Sequence, residues 1–298
     1  MSFRLILEIA PPREPDLGKV IRQVELFGGI VDAVLCPDNS LGQAAMSSIV
    51  LGLEVRRLGL APLVALNARD RNHIRLESDF ITLRAAGIDE VLLLYGDAVE
   101  RGRSDLTVRE MLGSPAGKGL RRGVAATTAR KLGWRRSADF LVCKLDFGRT
   151  DLGEWRRESG FEGPVYGGVI ALADEAMARR VCDGIADLEL PEDLASAFAR
   201  DGEAGFRHAI ALLERLRSSG LDGAHLVVPS RWRRFAELLQ EWVTTTLTTS
   251  GPMETGPDSG PAKQPAVSAA SAAPGPGSVD GDASTGAMEA MRAMGGAH

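Results

Sequence analysis

Between Leu63 and Asp97 two kinds of apolar spacing follow one another along the chain. A short apolar strand, Leu63 to Leu66, breaks at the polar corner Asn67-Ala68-Arg69-Asp70. Leu76, Phe80 and Leu83 then recur at i, i+4 and i+7, which gives a helix running to Gly87 one apolar stripe. Val91 to Leu94 is apolar at every position, so the strand from Glu90 to Tyr95 is expected to be covered on both faces, as strands of parallel sheets are. Both strands deliver polar residues at their carboxyl ends, where loops of α/β proteins gather ligands.

The rhythm extends in both directions. Strands are predicted at Phe3 to Ala10, Ile30 to Cys36, Gly123 to Ala126, Phe140 to Leu145, Val165 to Ile170 and His225 to Val228. A helix capped by Asp16 reaches Phe27-Gly28, and a second spans Leu41 to Leu58 with Gly59 closing it. Further helices are predicted at Leu106 to Leu112, Thr128 to Leu132, Leu152 to Glu158, Asp174 to Ile185, Phe206 to Arg217 and Trp232 to Val243. Eight strand-helix pairs in roughly 245 residues match the length of a (β/α)8 barrel. A doubly wound open sheet is the rival, but the first strand runs into Ala10-Pro11-Pro12 where a glycine-rich dinucleotide turn would stand. The predicted class is therefore α/β, a (β/α)8 TIM barrel with a disordered C-terminal tail.

Composition adds the tail and removes several function classes. From about Ser250 the chain turns to Gly, Pro, Ala and Ser, with too few large apolar side chains to offset ordering entropy. Residues 1–248 are thus assigned to the barrel and 249–298 to the tail, whose Ala287 to Met294 segment is either a short amphipathic helix or a frayed end. A net charge of -5 argues against nucleic-acid binding, which usually needs a basic face. Cys36, Cys143 and Cys182 are odd in number and widely spaced, which fits a reducing, cytoplasmic setting without disulfides. The first residues lack a signal-peptide pattern, and no run of about 18 apolar residues exists to cross a membrane.

Glu8 is the first candidate for chemistry. It ends strand one among Ile6, Leu7 and Ile9, and apolar neighbours raise a carboxyl pKa, which suits a proton donor near neutral pH. An ion pair with Arg13 or another barrel residue is the plainer alternative. Asp97 follows Gly96 at the end of strand four, where glycine lets a ligand approach the backbone, or else Asp97 caps the next turn. Asp38-Asn39 and Arg69-Asp70 are turn-forming and capping types as well as candidates for the same rim. The Gly113 to Gly119 loop has the wrong spacing for a phosphate loop and reads as a flexible connection. The four histidines show no metal-ligand spacing, and Arg231 to Arg234 reads as a solvated face or a contact for an anion.

Two longer runs, PDNSLGQAAMS and ARDRNHIRLESDFITLRAAGIDEVLLLYGD, resemble the methylenetetrahydrofolate reductase family. LEIAPPR is similar to that family's first strand, SADFLVCK to its sixth, GVIAL to its seventh, and Gly223-Ala224-His225 to the start of its eighth. The resemblance covers about residues 3–245. It implies reduction of 5,10-methylenetetrahydrofolate to 5-methyltetrahydrofolate in methionine biosynthesis, with hydride passing from NAD(P)H through FAD. It further implies Glu8 as general acid, Asp97 as the residue touching flavin and pterin, and Asp38, Asn39, Asn67, Tyr95, Gly96 and Lys131 in the cofactor site. Lys144 stands where the family has a pterin-binding glutamine.

There are departures. Ala65 replaces a flavin-contacting His, Tyr95 replaces an Arg or Thr, and the Tyr- and His-containing loop after strand five is missing. Three expectations follow: a reductase using FAD, alone, as a homo-oligomer or with a partner subunit; a flavin-free or deazaflavin-dependent reductase; and a non-catalytic folate-binding subunit.

Overall fold

The computed structural model describes residues 3–39, 43–96, 105–128, 131–185 and 188–247. The first half runs β1 (Arg4–Glu8), α1 (Gly18–Phe27), β2 (Ala33–Cys36), α2 (Ser48–Arg57), β3 (Ala61–Asn67), α3 (His73–Ala85), β4 (Glu90–Leu94) and α4 (Val108–Gly113). The second half runs β5 (Arg121–Ala126), β6 (Phe140–Cys143), α5 (Leu152–Ser159), β7 (Val165–Ile170), α6 (Glu175–Gly184), α7 (Glu192–Phe198), α8 (Ala204–Ser218), β8 (Gly223–Val227) and α9 (Trp232–Leu247). Each strand pairs in parallel with the next, and β8 returns to β1 with His225 opposite Ile6, so the sheet closes into a barrel. No helix among the described residues is long and apolar enough to cross a membrane. The tail read at 249–298, with Ala287 to Met294, lies outside the described residues.

Period-two alternation sorts side chains into two cores. Leu5, Leu7 and Ile9 pack into the layer between sheet and helices, whereas Ile6 joins an inner cluster with Leu35, Leu63, Ala65, Leu92, Phe140, Val142 and Tyr166. The interior is filled by matching large against small. A Cβ on Gly123 would lie 2.0 Å from the ring of Phe140, its partner across the β5/β6 ladder, so the missing side chain is the space the ring occupies.

Three connections differ from the sequence expectation. Of the helix predicted at Thr128 to Leu132, residues 129–130 lie outside the described residues, Lys131 and Leu132 are not helical, and a 3-10 turn follows at Gly133–Ser137. The Gly113 to Gly119 stretch contains a 3-10 turn, Pro115–Gly117, whose buried Gly117 packs on Arg122 and Phe80 rather than forming a flexible connection. Helix α2 begins at Ser48 instead of Leu41, which lies outside the described residues; ahead of it Ala45 N donates to Asn39 Oδ1 and Met46 N to Pro12 O, which holds that segment out of the helix. The capping role read for Asp16 holds in part: its carboxylate accepts from Gly18 N at 2.7 Å, and the helix starts there.

At the amino-terminal mouth the interior ends in an ion cluster. Arg4 makes a two-pronged pair with Glu90 at 3.0 and 2.6 Å, Arg121 joins the same carboxylate, and Tyr166 Oη lies 3.5 Å from Arg4. A depression of about 550 Å³ opens beside it, lined by Arg4, Arg56, Pro62, Asp89, Glu90 and Arg121. It lies at the amino-terminal end of the barrel, whereas barrel chemistry collects at the carboxyl ends of the strands.

Candidate functional site

Glu8 is the last residue of β1, and because Leu5 and Leu7 face outward its carboxyl enters the barrel at the carboxyl end. His225 is the central residue of β8, between the outward-facing Ala224 and Leu226. Since His225 pairs in register with Ile6, its ring starts one inward position below Glu8 and reaches up to it. The imidazole Nε2 and Glu8 Oε2 are 2.7 Å apart, with side chains 1% and 4% exposed. The barrel residue that meets Glu8 is His225.

What distinguishes the pair is what it leaves over. Glu8 Oε1 and His225 Nδ1 are buried and have no hydrogen-bond partner among the described residues. A buried polar atom without a partner costs about 1–3 kcal/mol, so two in one pair form a local expense that packing alone does not explain. The arrangement is that of a carboxyl group gripped on one oxygen and open on the other.

The polar residues at the ends of β2 and β3 behave in the opposite way. Asn67 N and Asn67 Nδ2 donate to Asp38 Oδ2 at 2.9 and 2.8 Å, and Arg71 pairs with that same oxygen. Arg71 continues through Nε to Asp79 at 2.8 Å. Asp70 is held by Arg69 at 2.7 and 2.6 Å, by Asn67 at 3.1 Å and by Asn39 at 3.2 Å. Burial pushes the Asp70 carboxyl up, but Arg69 and the two amides outweigh it and hold it below the usual range. Burial likewise pulls the Arg71 guanidinium down, and Asp38 with Asp79 raises it again past its ordinary value.

So Asp38, Asn39 and Asn67, three of the expected cofactor residues, come together, though around one another. Gly96 has φ 92°, and a Cβ there would lie 3.0 Å from Arg69 Cβ and 3.3 Å from Asn67 Cβ. The close approach that requires glycine is that of β3. Tyr95 is 49% exposed, and its carbonyl accepts from Arg69 N at 3.1 Å. Lys131 is exposed, and Lys144, half-buried, follows the inward-facing Val142 at the end of β6, on the interior side. Asp97 lies outside the described residues.

Other reactive groups are placed away from chemistry. Burial pushes the Cys36 thiol up and the Cys143 thiol up to about 12, which keeps both protonated. Within the Arg231 to Arg234 run, Arg234 is taken up by Glu203 and Glu237. No group of three or more metal-ligating side chains comes together among the described residues. Sequence reasoning missed His225 and Arg71 as parts of the site. The signal for His225 was its parity in strand eight, which matches that of Glu8 in strand one.

Fold and site together define a (β/α)8 barrel with a buried carboxyl–imidazole pair toward its carboxyl mouth. No protein-family model and no curated protein matches the chain. Solved structures do. An uncharacterised protein from Clostridium thermocellum that binds two copies of 5-methyl-5,6,7,8-tetrahydrofolic acid superposes with a TM-score of 0.58 at 10% identity, over 80% of this chain and 96% of that one. The coenzyme F420-dependent tetrahydromethanopterin reductase of Methanopyrus kandleri has a TM-score of 0.52 at 10% identity, over 82% and 99%. The EDTA monooxygenase of Chelativorans sp. BNC1 has a TM-score of 0.52 at 10% identity, over 84% and 94%. At this identity the likeness is one of fold.

Proposed function

We propose that the chain is an oxidoreductase that reduces 5,10-methylenetetrahydrofolate to 5-methyltetrahydrofolate, with NAD(P)H as hydride donor and Glu8 as general acid. The observation that carries this reading is the carboxyl at the end of β1, buried in the barrel, held on Oε2 and open on Oε1. Binding of a methyltetrahydrofolate by one barrel of similar fold, and reduction of a related pterin by another, support the substrate class.

The residues available for FAD do not fit it. Among the described residues, Asp38, Asn39 and Asn67 direct their hydrogen bonds at one another and at Asp70, Ala65 offers no polar group, and Lys131 is exposed. In this reading the hydride comes directly from a dihydronicotinamide, with a deazaflavin as the alternative donor.

Glu8 gives its proton to N10 of the substrate as the bond from the methylene carbon to N10 breaks, which leaves an iminium at N5. Hydride from the nicotinamide adds to that carbon and makes the methyl group, and the nicotinamide departs oxidised. Oε1 is buried and has no competing hydrogen-bond partner among the described residues, which leaves it for the substrate nitrogen. The cationic iminium and the new Glu8 carboxylate are formed together, so the low-dielectric interior favours their being close.

The test is an assay of the purified protein with methylenetetrahydrofolate and NADH or NADPH, without added flavin. Turnover is expected, with no flavin absorption band, and Glu8→Gln should lower it by about 10²–10⁴. A Glu8→Gln variant as fast as the wild type would remove the acid role, and activity that appears only with added FAD would return the flavin to the reaction. If 5-methyltetrahydrofolate binds but neither nicotinamide supports turnover, the chain is a folate-binding subunit.

A further inference from the structure

We infer that the depression at the amino-terminal mouth is a second binding site, for a small organic oxyanion: a phosphate or carboxylate carried on an apolar body. It lies at the end of the barrel away from Glu8 and does not depend on the reaction proposed there. Arg4 at the start of β1, Arg56 near the end of α2, Leu60, Ala61 and Pro62 leading into β3, Gly87, Asp89 and Glu90 leading into β4, and Arg121 at the start of β5 meet in its wall. Three guanidinium groups, on Arg4, Arg56 and Arg121, stand against two carboxylates, on Asp89 and Glu90, so the lining carries one positive charge in surplus.

Bracing of the barrel end accounts for only one of these arginines. Arg4 takes both oxygens of the buried Glu90, at 3.0 and 2.6 Å. Arg121 shares through Nη1 a carboxylate whose charge Arg4 already matches, so two cations lean on one anion. Arg56 has less: its Nη1 donates to the neutral carbonyl of Ala86, and no carboxylate pairs with it among the described residues. Gly87, at φ 62°, admits the guanidinium there, since a Cβ would collide with Nη1.

A guanidinium has five N–H donors, so Arg56 and the half-exposed Arg121 keep most of theirs for a partner. An anion in the depression relieves the repulsion between the arginines, and a carboxylate or phosphate accepts two donors of one fork in parallel. The rest of the wall selects the body of the ligand. Leu60, Ala61 and Pro62 are apolar, and a volume of about 550 Å³ is that of a small-molecule site, more than a bare phosphate fills.

The test titrates the full-length protein with phenyl phosphate, benzoate and inorganic phosphate by calorimetry. At least one organic probe is expected to bind in the millimolar range or below, about tenfold more tightly than inorganic phosphate, and the tighter of the two identifies the head group. Arg56→Met and Arg121→Met should each weaken it about tenfold. Ala61→Glu, at an exposed position, leaves every arginine in place, cancels the surplus charge and should weaken binding by a similar factor. Glu8→Gln, at the other mouth, should not alter it. Circular dichroism establishes that each variant is folded, and Ala61→Glu decides the matter if an arginine variant is not. Absence of binding by both organic probes, or affinity unchanged in the folded lining variants, would overturn the inference. So would equal affinity for inorganic phosphate, which signifies an adventitious ion only, or a loss in Glu8→Gln, which would place the probe at the carboxyl mouth.

Discussion

The cluster around Asp38 and Asn67 and the pair Glu8–His225 are built from the same kinds of residue near the same end of one barrel. They differ in what is left unsatisfied. In the first, no buried side-chain nitrogen or oxygen lacks a partner, and a single oxygen of Asp38 receives two amide donors and an arginine. In the second, one atom of each member is left over, in a setting where that is costly. At this end of the barrel, the cluster whose hydrogen-bonding capacity is used up braces the loops, and the pair with capacity remaining is the one able to meet a substrate.

If this division is right, substitutions in the two regions should have opposite signatures. The largest stability effect is expected from Arg71→Met, which leaves Asp38 and Asp79 as buried carboxylates stripped of their shared cation. Such a break costs about 3–5 kcal/mol, read as a lower urea midpoint at unchanged slope, whereas Glu8→Gln should change stability by less than about 1 kcal/mol. Should Arg71→Met unfold no more easily than Glu8→Gln, the β2–β3 cluster is not a brace.

A smaller effect, about 1–2 kcal/mol at neutral pH, is expected for Asp70→Asn, which keeps an acceptor for Asn67 but loses the charge that Arg69 holds. The Asp70 carboxyl is lowered in the folded protein, so its contribution is fully present above the ordinary value of 3.8 and is lost as pH falls through the folded one. The wild type and Asp70→Asn should therefore converge in stability as the solution is acidified, and a gap that persists at the lowest pH would contradict the assignment.

The smallest effect comes from a group outside both regions. His208 on α8 is held below its ordinary value of 6.5 chiefly by burial, which outweighs its hydrogen bond to the Phe147 carbonyl at 3.2 Å. Its neutral form is favoured on folding, so stability should decline as pH drops below 6.5, where the unfolded chain takes up the proton first. His208→Phe should flatten that part of the stability curve, and an unchanged slope would rule His208 out as its source.

Much of the barrel was legible in the residues because strand alternation is local. The parity that turns Leu5 and Leu7 outward is present in seven consecutive letters, and it already sends Glu8 inward. The helix at Glu192–Phe198 escaped because one apolar residue, Leu194, is its only buried side chain, too little for a periodic signal. Gly96 was read as making room for a ligand, since a sequence shows that room is needed but not which neighbour fills it.

By itself, then, the order of residues determined eight strands, their inward and outward faces, and a carboxylate inside the first of them. Only the tertiary structure decided that Glu8 meets His225, 217 positions away, because that contact exists only when β8 closes against β1. It also decided which polar residues would use up one another's hydrogen bonds. Periodicity acts over a few residues and is written locally, whereas a hydrogen bond between strand ends depends on the register of a closed sheet.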